Sequence, residues 1–401
     1  MESGLRDWIR AERERWHVPA LVVGLLRDGE VEVAADGGAT RETPFRIASI
    51  TKPFTATLAV FLAAEGRLSP DEPPPGTRVE ATIRQLLSHQ GGIACEWPRP
   101  LGPYGSGNDA LLRLSEEEPE YLPVGPGELF SYSNVGYWLV GAPAARALGR
   151  TFEEAVMSRV VAPMGGRVTA FDRPPDAARG HDQVEPGADA HRPVEDCYPR
   201  VRRPSGGLWS TVPELLRFAE MHLEDPTLAE MQQPQIAMPG GAYGLGWGLR
   251  EVDGRRIVEH GGSAAGYESL LLLVPEERCA VAALSNSSRG RAAIRGILER
   301  LGLAPPHAPD LPLDDEALEA LTGLYRGQDT KLVVERADGR LRVQLTEGDP
   351  FKDDPLEYPP VLARAIGERE FEVVDGEWRG ERLDFPRDGF ARFGTLAKRV
   401  E

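Results

Sequence analysis

FRIASITKPFTA, residues 45–56, is the stretch on which the reading turns. Within it, Ser49-Ile50-Thr51-Lys52 sets a hydroxyl and an amine three positions apart, a spacing that a helix brings to one face. A serine hydroxyl attacks only when a neighbour takes its proton. A lysine can take that proton only when burial or nearby positive charge lowers its pKa. The start of a helix also favours developing negative charge, and Pro53 is compatible with that start because it removes at most one backbone bond there. Ser49 then opens a buried helix through Phe54, Leu58, Phe61 and Leu62, which stops at Gly66 before the loop PDEPPPG. Ser-x-x-Lys alone is a weak signal, since average usage produces it about once by chance in a chain of this size. An ordinary helix cap is the plainer reading of such a serine.

Two later segments strengthen it. Tyr132-Ser133-Asn134 follows the turn residues Pro126-Gly127 and precedes an amphipathic run to Gly149. It supplies a phenol able to relay protons and a carboxamide able to orient a substrate amide. His260-Gly261-Gly262-Ser263 follows the apolar strand expected over Arg256 to Glu259. Glycines there let backbone approach a ligand closely, and the next N–H can point at an oxyanion. Taken singly, Asn134 reads as a helix cap and His260 as a structural histidine.

Taken in order, S-I-T-K, Y-S-N and H-G-G resemble the three motifs of the serine β-lactamase-related hydrolases, which include class C β-lactamases, low-molecular-weight penicillin-binding proteins, D-aminopeptidases and family VIII esterases. The blocks FRIASITKPFTA, TIRQLLSHQGGI, FSYSNVGYWLVG, PSGGLWSTVPELLRFAEMH, YGLGWG and HGGSAAGYES agree with that family over roughly residues 8 to 300. The resemblance implies Ser49 as nucleophile, Lys52 as its base partner and Tyr132 as proton relay, with the lysine and tyrosine assigned jointly as acylation base. It implies Asn134 on the substrate amide and His260 where lactamases usually carry lysine. Gly262 and Ser263 complete the substrate-binding strand, with the backbone N–H groups of Ser49 and Ser263 as oxyanion hole. It further implies an α/β (α+β) fold, an antiparallel sheet with flanking helices beside a helical lobe. No cofactor or metal is implied. His-Gly-Gly in place of Lys-Thr-Gly removes a permanent cation that would grip a β-lactam carboxylate, which argues against a dedicated β-lactamase. SHQGG also departs from the commoner T-H-T-S-G, and His89 reads as structural.

The rest of the chain gives the frame. Leu5, Trp8, Ile9 and Trp16 fall at helical spacing, followed by a hairpin of Ala20–Leu26 and Val31–Ala35 around Asp28-Gly29. Thr82 can cap a helix through Ser88, and Thr151/Glu154 and Thr211/Glu214 form capping boxes. Residues 165–208 read as a long irregular excursion. Strands expected over Glu268–Val274 and Cys279–Leu284 precede a helix over Arg291–Leu301, so one sheet should form from the two ends of a catalytic domain, 1–304. A proline-rich linker, 305–314, leads to a small all-β domain, 315–401, with strands expected over Gly323–Arg326, Lys331–Arg336, Arg340–Leu345, Glu370–Val374, Arg382–Arg387 and Ala391–Leu396. That domain is expected to be separable and to take no direct part in the chemistry.

With 401 residues, 41% hydrophobic residues and a net charge of −17, the chain fits a two-domain globular protein that repels nucleic acid and anionic membranes. The N-terminal stretch lacks an apolar signal core, and a cytoplasmic location is expected. Cys95, Cys197 and Cys279 form no C-x-x-C pair and are expected to be reduced. The partner expected is a small ester, amide or D-amino-acid peptide. The alternatives are a silent binding or scaffold homologue, or a genuine β-lactamase or DD-peptidase. An α/β-hydrolase would need G-x-S-x-G, which no serine here has, and the seven histidines are too dispersed for zinc chemistry.

Overall fold

The computed structural model describes residues 2–184, 190–195, 198–305, 307–348, 355–376 and 378–400. Cys197 and part of the 165–208 excursion lie outside them, as does Pro306 of the linker. Helix α1 (Glu2–Arg15) leads to strand β1 (Leu21–Arg27), which pairs with β2 (Glu30–Asp36) through a two-residue turn. Asp28 and Gly29 both have positive φ, +50° and +81°, as a right-twisting hairpin of this length requires. The chain then leaves the sheet and returns as β3 (Ile236–Met238), β4 (Gly241–Tyr243), β5 (Gly248–Val252), β6 (Arg255–Ala264), β7 (Tyr267–Val274) and β8 (Cys279–Ser285). The eight strands lie in the order β2-β1-β8-β7-β6-β5-β4-β3, all neighbours antiparallel. β1 and β8 join in register from Leu21 opposite Ser285 to Arg27 opposite Cys279, so the sheet is closed by segments from the two ends of the catalytic unit.

Both faces of this sheet are covered, which is why β7 is buried at every position rather than at alternate ones. One face carries Leu21, Val23, Leu272 and Val281 against Leu5 and Ile9 of α1 and Ile294 and Ile297 of the helix Gly290–Leu301. The other face meets the helical lobe. There, α2 (Thr51–Ala64) is apolar almost all round and buried along most of its length. Phe54 of α2 stacks on Phe218 at 3.7 Å between ring centroids. Thr82 and Gln85 form the capping box of α3 (Ile83–Leu87). Helix α4 (Asn134–Leu148) is capped by Ser133 and ends at left-handed Gly149, α5 (Val212–Glu224) is capped by Thr211, and α6 is the helix Gly290–Leu301.

Several expectations change, among them the Thr211/Glu214 capping box, whose Glu214 carboxylate accepts the N–H groups of Arg167, Val168 and Thr169 instead. His260 to Ser263 do not follow a strand but lie inside β6, because glycine carries no β-propensity signal although the neighbouring strand fixes its backbone. The hairpin β3–β4 was not anticipated: its residues IAM and GAY are too few to show alternation. Within 165–208 the structure places a short strand pair, His181–Gln183 with His191–Pro193, and a helical turn at Arg203–Gly206.

After the linker, the one-and-a-half-turn helix α7 (Asp315–Ala320) buries Leu318 in a second core. Around it run β9 (Gly323–Arg326), β10 (Thr330–Ala337), β11 (Arg340–Glu347), β12 (Leu356–Glu357), β13 (Val361–Ala365), β14 (Glu370–Val373), β15 (Arg382–Asp384), β16 (Phe390–Phe393) and β17 (Thr395–Arg399). Their order is β10-β9-β17-β16-β15-β14-β13-β11, with β12 added to β11. Pairing of β10 with β11 closes the sheet into a barrel, which leaves no long open edge. Its interior is filled by Tyr325, Leu332, Leu341, Phe371 and Phe385 among others. β12 and β13 were not expected from the sequence. Among the described residues no helix is long and apolar enough to cross a membrane.

Candidate active site

Ser49 sits in a 3₁₀ turn, Ala48–Ile50, that runs directly into α2. The turn is strained and strapped. Ala48 has φ +44°, a left-handed conformation costing a non-glycine residue roughly 1–2 kcal/mol. The Ile47 N–H donates to the Leu208 carbonyl at 3.0 Å, and the Leu208 N–H donates to Thr51 Oγ1 at 3.1 Å. From the sheet side, Ser269 Oγ donates to the Ile47 carbonyl at 2.9 Å. Gly262 lies against the same turn. A Cβ there would meet the Ile47 carbonyl at 2.2 Å and the Ser49 nitrogen at 3.1 Å, so only glycine lets β6 come this close.

One helical turn on, Lys52 is completely buried. Its Nζ has three neighbours: Asn134 Oδ1 at 2.7 Å, the Ser205 carbonyl at 2.9 Å and Ser49 Oγ at 3.1 Å. Burial lowers its pKa from 10.5 to about 7, helped by Arg202 and opposed by Cys95 and Glu96. The first two neighbours can only accept. A neutral amine has two N–H groups to give them, which leaves its lone pair for the Ser49 hydroxyl. The Tyr132 ring covers the amine at 4.6 Å and its phenol hydrogen-bonds Ser49, while burial pushes that phenol well above 10.

Asn134 opens α4 but does not cap it; that position belongs to Ser133, whose hydroxyl accepts the Gly136 N–H. Asn134 Nδ2 instead donates to Glu96 Oε1 at 2.6 Å, and the Arg202 guanidinium donates to the same oxygen at 2.6 Å. Burial raises the Glu96 pKa, against the pull of Arg202 and Asn134. Ser205 is held by Trp138 Nε1 at 2.8 Å. His89 has φ +58° and is buried, its Nδ1 accepts the Ser133 N–H at 3.0 Å, and its ring lies 4.3 Å from that of Tyr132.

The side chains of His260 and Ser263 are held by the protein itself. His260 is 7% exposed and both ring nitrogens are engaged by the protein, Nε2 with the Tyr243 hydroxyl at 2.9 Å and Nδ1 with the Gly261 carbonyl at 2.5 Å. Burial, with Lys52 nearby, lowers its pKa to about 3, so the ring is neutral and braces the strand instead of presenting a cation. The Ser263 hydroxyl donates to Glu268 Oε1 at 2.6 Å, which leaves its backbone as the part available to a ligand. Glu96 and Arg202 were missed by the sequence reading because no local spacing marks them, and Tyr243 was passed over although it opens the block YGLGWG. Ser205 had a signal, the block PSGGLW. A cleft of about 460 Å³, lined by Leu101, Gly102, Tyr198, Arg200 and Arg203 among others, includes none of Ser49, Lys52, Tyr132 or His260. Its Tyr198 ring lies 5.7 Å from the Arg202 guanidinium.

A family model described as beta-lactamase matches residues 5–304. The chain belongs to the beta-lactamase family. Relatives in it are serine hydrolases, and this chain is a serine hydrolase of that type. Penicillin-binding protein 4 of Amycolatopsis lactamdurans is 28% identical over 321 residues, 69% of this chain and 83% of the relative. The solved structure of SurE with D-Leu superposes with a TM-score of 0.75 at 22% identity, covering 99% of each chain, so the likeness of fold extends through the barrel. A D-stereospecific amidohydrolase from Streptomyces sp. is 25% identical with a TM-score of 0.60, covering 70% of this chain and 94% of its own.

Proposed function

We propose that this hydrolase acts through an acyl-enzyme at Ser49 on small amides, esters or peptides of D-amino acids. The observation that carries the reading is the environment of Lys52: among its hydrogen-bonded neighbours in the described residues, the Ser49 hydroxyl alone can donate a proton. Burial drives the lysine and tyrosine pKa values in opposite functional directions: a lysine near 7 can be neutral and act as base, while a phenol held above 10 stays protonated and acts as acid. Lys52 takes the Ser49 proton as Oγ attacks the carbonyl. The N–H groups of Ser49 and Ser263 hold the oxyanion. Tyr132 donates to the leaving group and is reprotonated from Lys52. Water then enters by the reverse steps to release the acid and free Ser49.

Two considerations support the substrate class. The amidohydrolase relative is named for D-stereospecificity, and the SurE structure holds D-Leu. The neutral, enclosed His260 offers no cation to a β-lactam carboxylate. Short p-nitrophenyl esters and D-amino-acid amides are therefore expected to exceed nitrocefin in kcat/KM. Ser49→Ala should abolish turnover and fluorophosphonate labelling while leaving the fold intact. An adduct mapped to any other residue, or nitrocefin as the best substrate, would overturn the reading.

A further inference from the structure

Two turns at one end of the barrel reach the segments that carry the site. In the β9–β10 turn, Gln328 Oε1 accepts the Glu96 N–H at 3.0 Å and Nε2 donates to Glu120 at 2.9 Å. The β16–β17 turn pivots on Gly394, at φ +76°, whose carbonyl accepts the Tyr132 N–H at 3.4 Å. On one side of that bond the Arg392 guanidinium donates to the Phe130 carbonyl at 3.0 Å, and on the other the Leu396 N–H donates to Ser131 Oγ at 3.2 Å. Three successive residues, 130 to 132, are thus gripped by residues 392, 394 and 396. The Thr330 and Thr395 hydroxyls, 3.1 Å apart, tie the two turns together. Arg392 is 5% exposed and its fork is fixed by Asp384 before it reaches Phe130. Val124 packs with Phe390 and Leu396 beside these bonds.

We propose that Gln328 and Arg392 are positioning residues of the hydrolase site, holding from the barrel the segments that aim the Tyr132 phenol and the Asn134 amide. This gives an indirect role to a barrel expected to take no direct part in the chemistry, and it rests on reading Tyr132 as the proton donor. A misaimed Tyr132 penalises a leaving group that must be protonated, such as an aniline, far more than p-nitrophenolate, which departs as an anion. Loss of folded protein would penalise both alike.

The test uses the full chain and a matched pair, the p-nitrophenyl ester and the p-nitroanilide of whichever acyl group the wild type hydrolyses best. Gln328→Leu and Arg392→Lys are compared with Tyr132→Phe. The expected result is a loss of kcat/KM on the anilide at least tenfold greater than on the ester in all three. If Arg392→Lys fails to fold, Gln328→Leu decides. Equal losses on both substrates in Gln328→Leu, with preferential loss in Tyr132→Phe, would overturn the positioning role and leave the Tyr132 assignment standing. No preferential loss in Tyr132→Phe would overturn both.

Discussion

Burial lowers Lys52 from 10.5 to about 7, and two measurable pH dependences follow. For activity, kcat/KM should fall about tenfold per pH unit below 7 as the amine becomes protonated, and that limb should survive His260→Gln because His260 is already neutral there. Lys52→Ala should lose nearly as much activity as Ser49→Ala, and the double variant little more, since the pair acts as a unit. For stability, the unfolded chain keeps the Lys52 proton up to pH 10.5, whereas the folded chain releases it near 7. Stability therefore rises with pH between those values, and below 7 the whole penalty, on the order of 5 kcal/mol, is present. Lys52→Met should raise the melting temperature at pH 7 by part of that amount, since it also forfeits the bonds to Asn134 and Ser205, and the gain should shrink toward pH 10.5. Calorimetry showing no gain, or one independent of pH, would contradict a depressed lysine. The Ser49–Lys52 pairing was legible because three residues on a helix is a local relation. Glu96 and Arg202 were not, because they meet across 106 positions and belong to residue types that sequence reading assigns to the surface.

At the scale of elements, the decisive contact is between the Ser49 turn and β6. Gly262→Ala would drive a methyl group into the Ile47 carbonyl and the Ser49 nitrogen, displacing one oxyanion donor from the other. Losing one such donor costs about 10²–10³-fold in kcat, so a fall of that size with KM little changed is expected. Gly261→Ala is the control: a Cβ there comes no closer than 3.8 Å to the Ser269 carbonyl, and activity should remain within a few-fold of wild type. Equal effects of the two substitutions would refute the close-approach argument. The helices were readable from their caps, as Thr82, Thr151 and Thr211 each accept the backbone N–H three residues on. The end of β6 was not, because its glycines owe their extended backbone to pairing with Leu270 and Ser269 on β7, a long-range cause without local trace.

At the scale of the molecule, the two-part plan and the closure of one sheet from both ends of the catalytic unit were visible in where strand-like runs fall. The docking of the barrel was not, because Gln328 and Gly394 sit in turns of ordinary composition. A chain cut after residue 309 would lose the partners of residues 130–132 and uncover Val124 and its apolar neighbours. It should still react at Ser49 with a fluorophosphonate, whose fluoride leaves unaided, but hydrolyse anilides far more slowly than the full chain. Anilide turnover equal to that of the full chain would show that the barrel contacts are dispensable. The register of β1 with β8 has a further consequence, for biosynthesis. The ribosome delivers Ser49 and Lys52 early, yet their strand partner, the Gly262 backbone and the Gly394 turn all come later. At about 5–20 residues per second, roughly 20–70 s separate the nucleophile from the last group that aims its partners. Reactivity of Ser49 toward a fluorophosphonate should therefore arise once β8 has joined β1, and anilide turnover only when the Gly394 turn arrives near the end of translation.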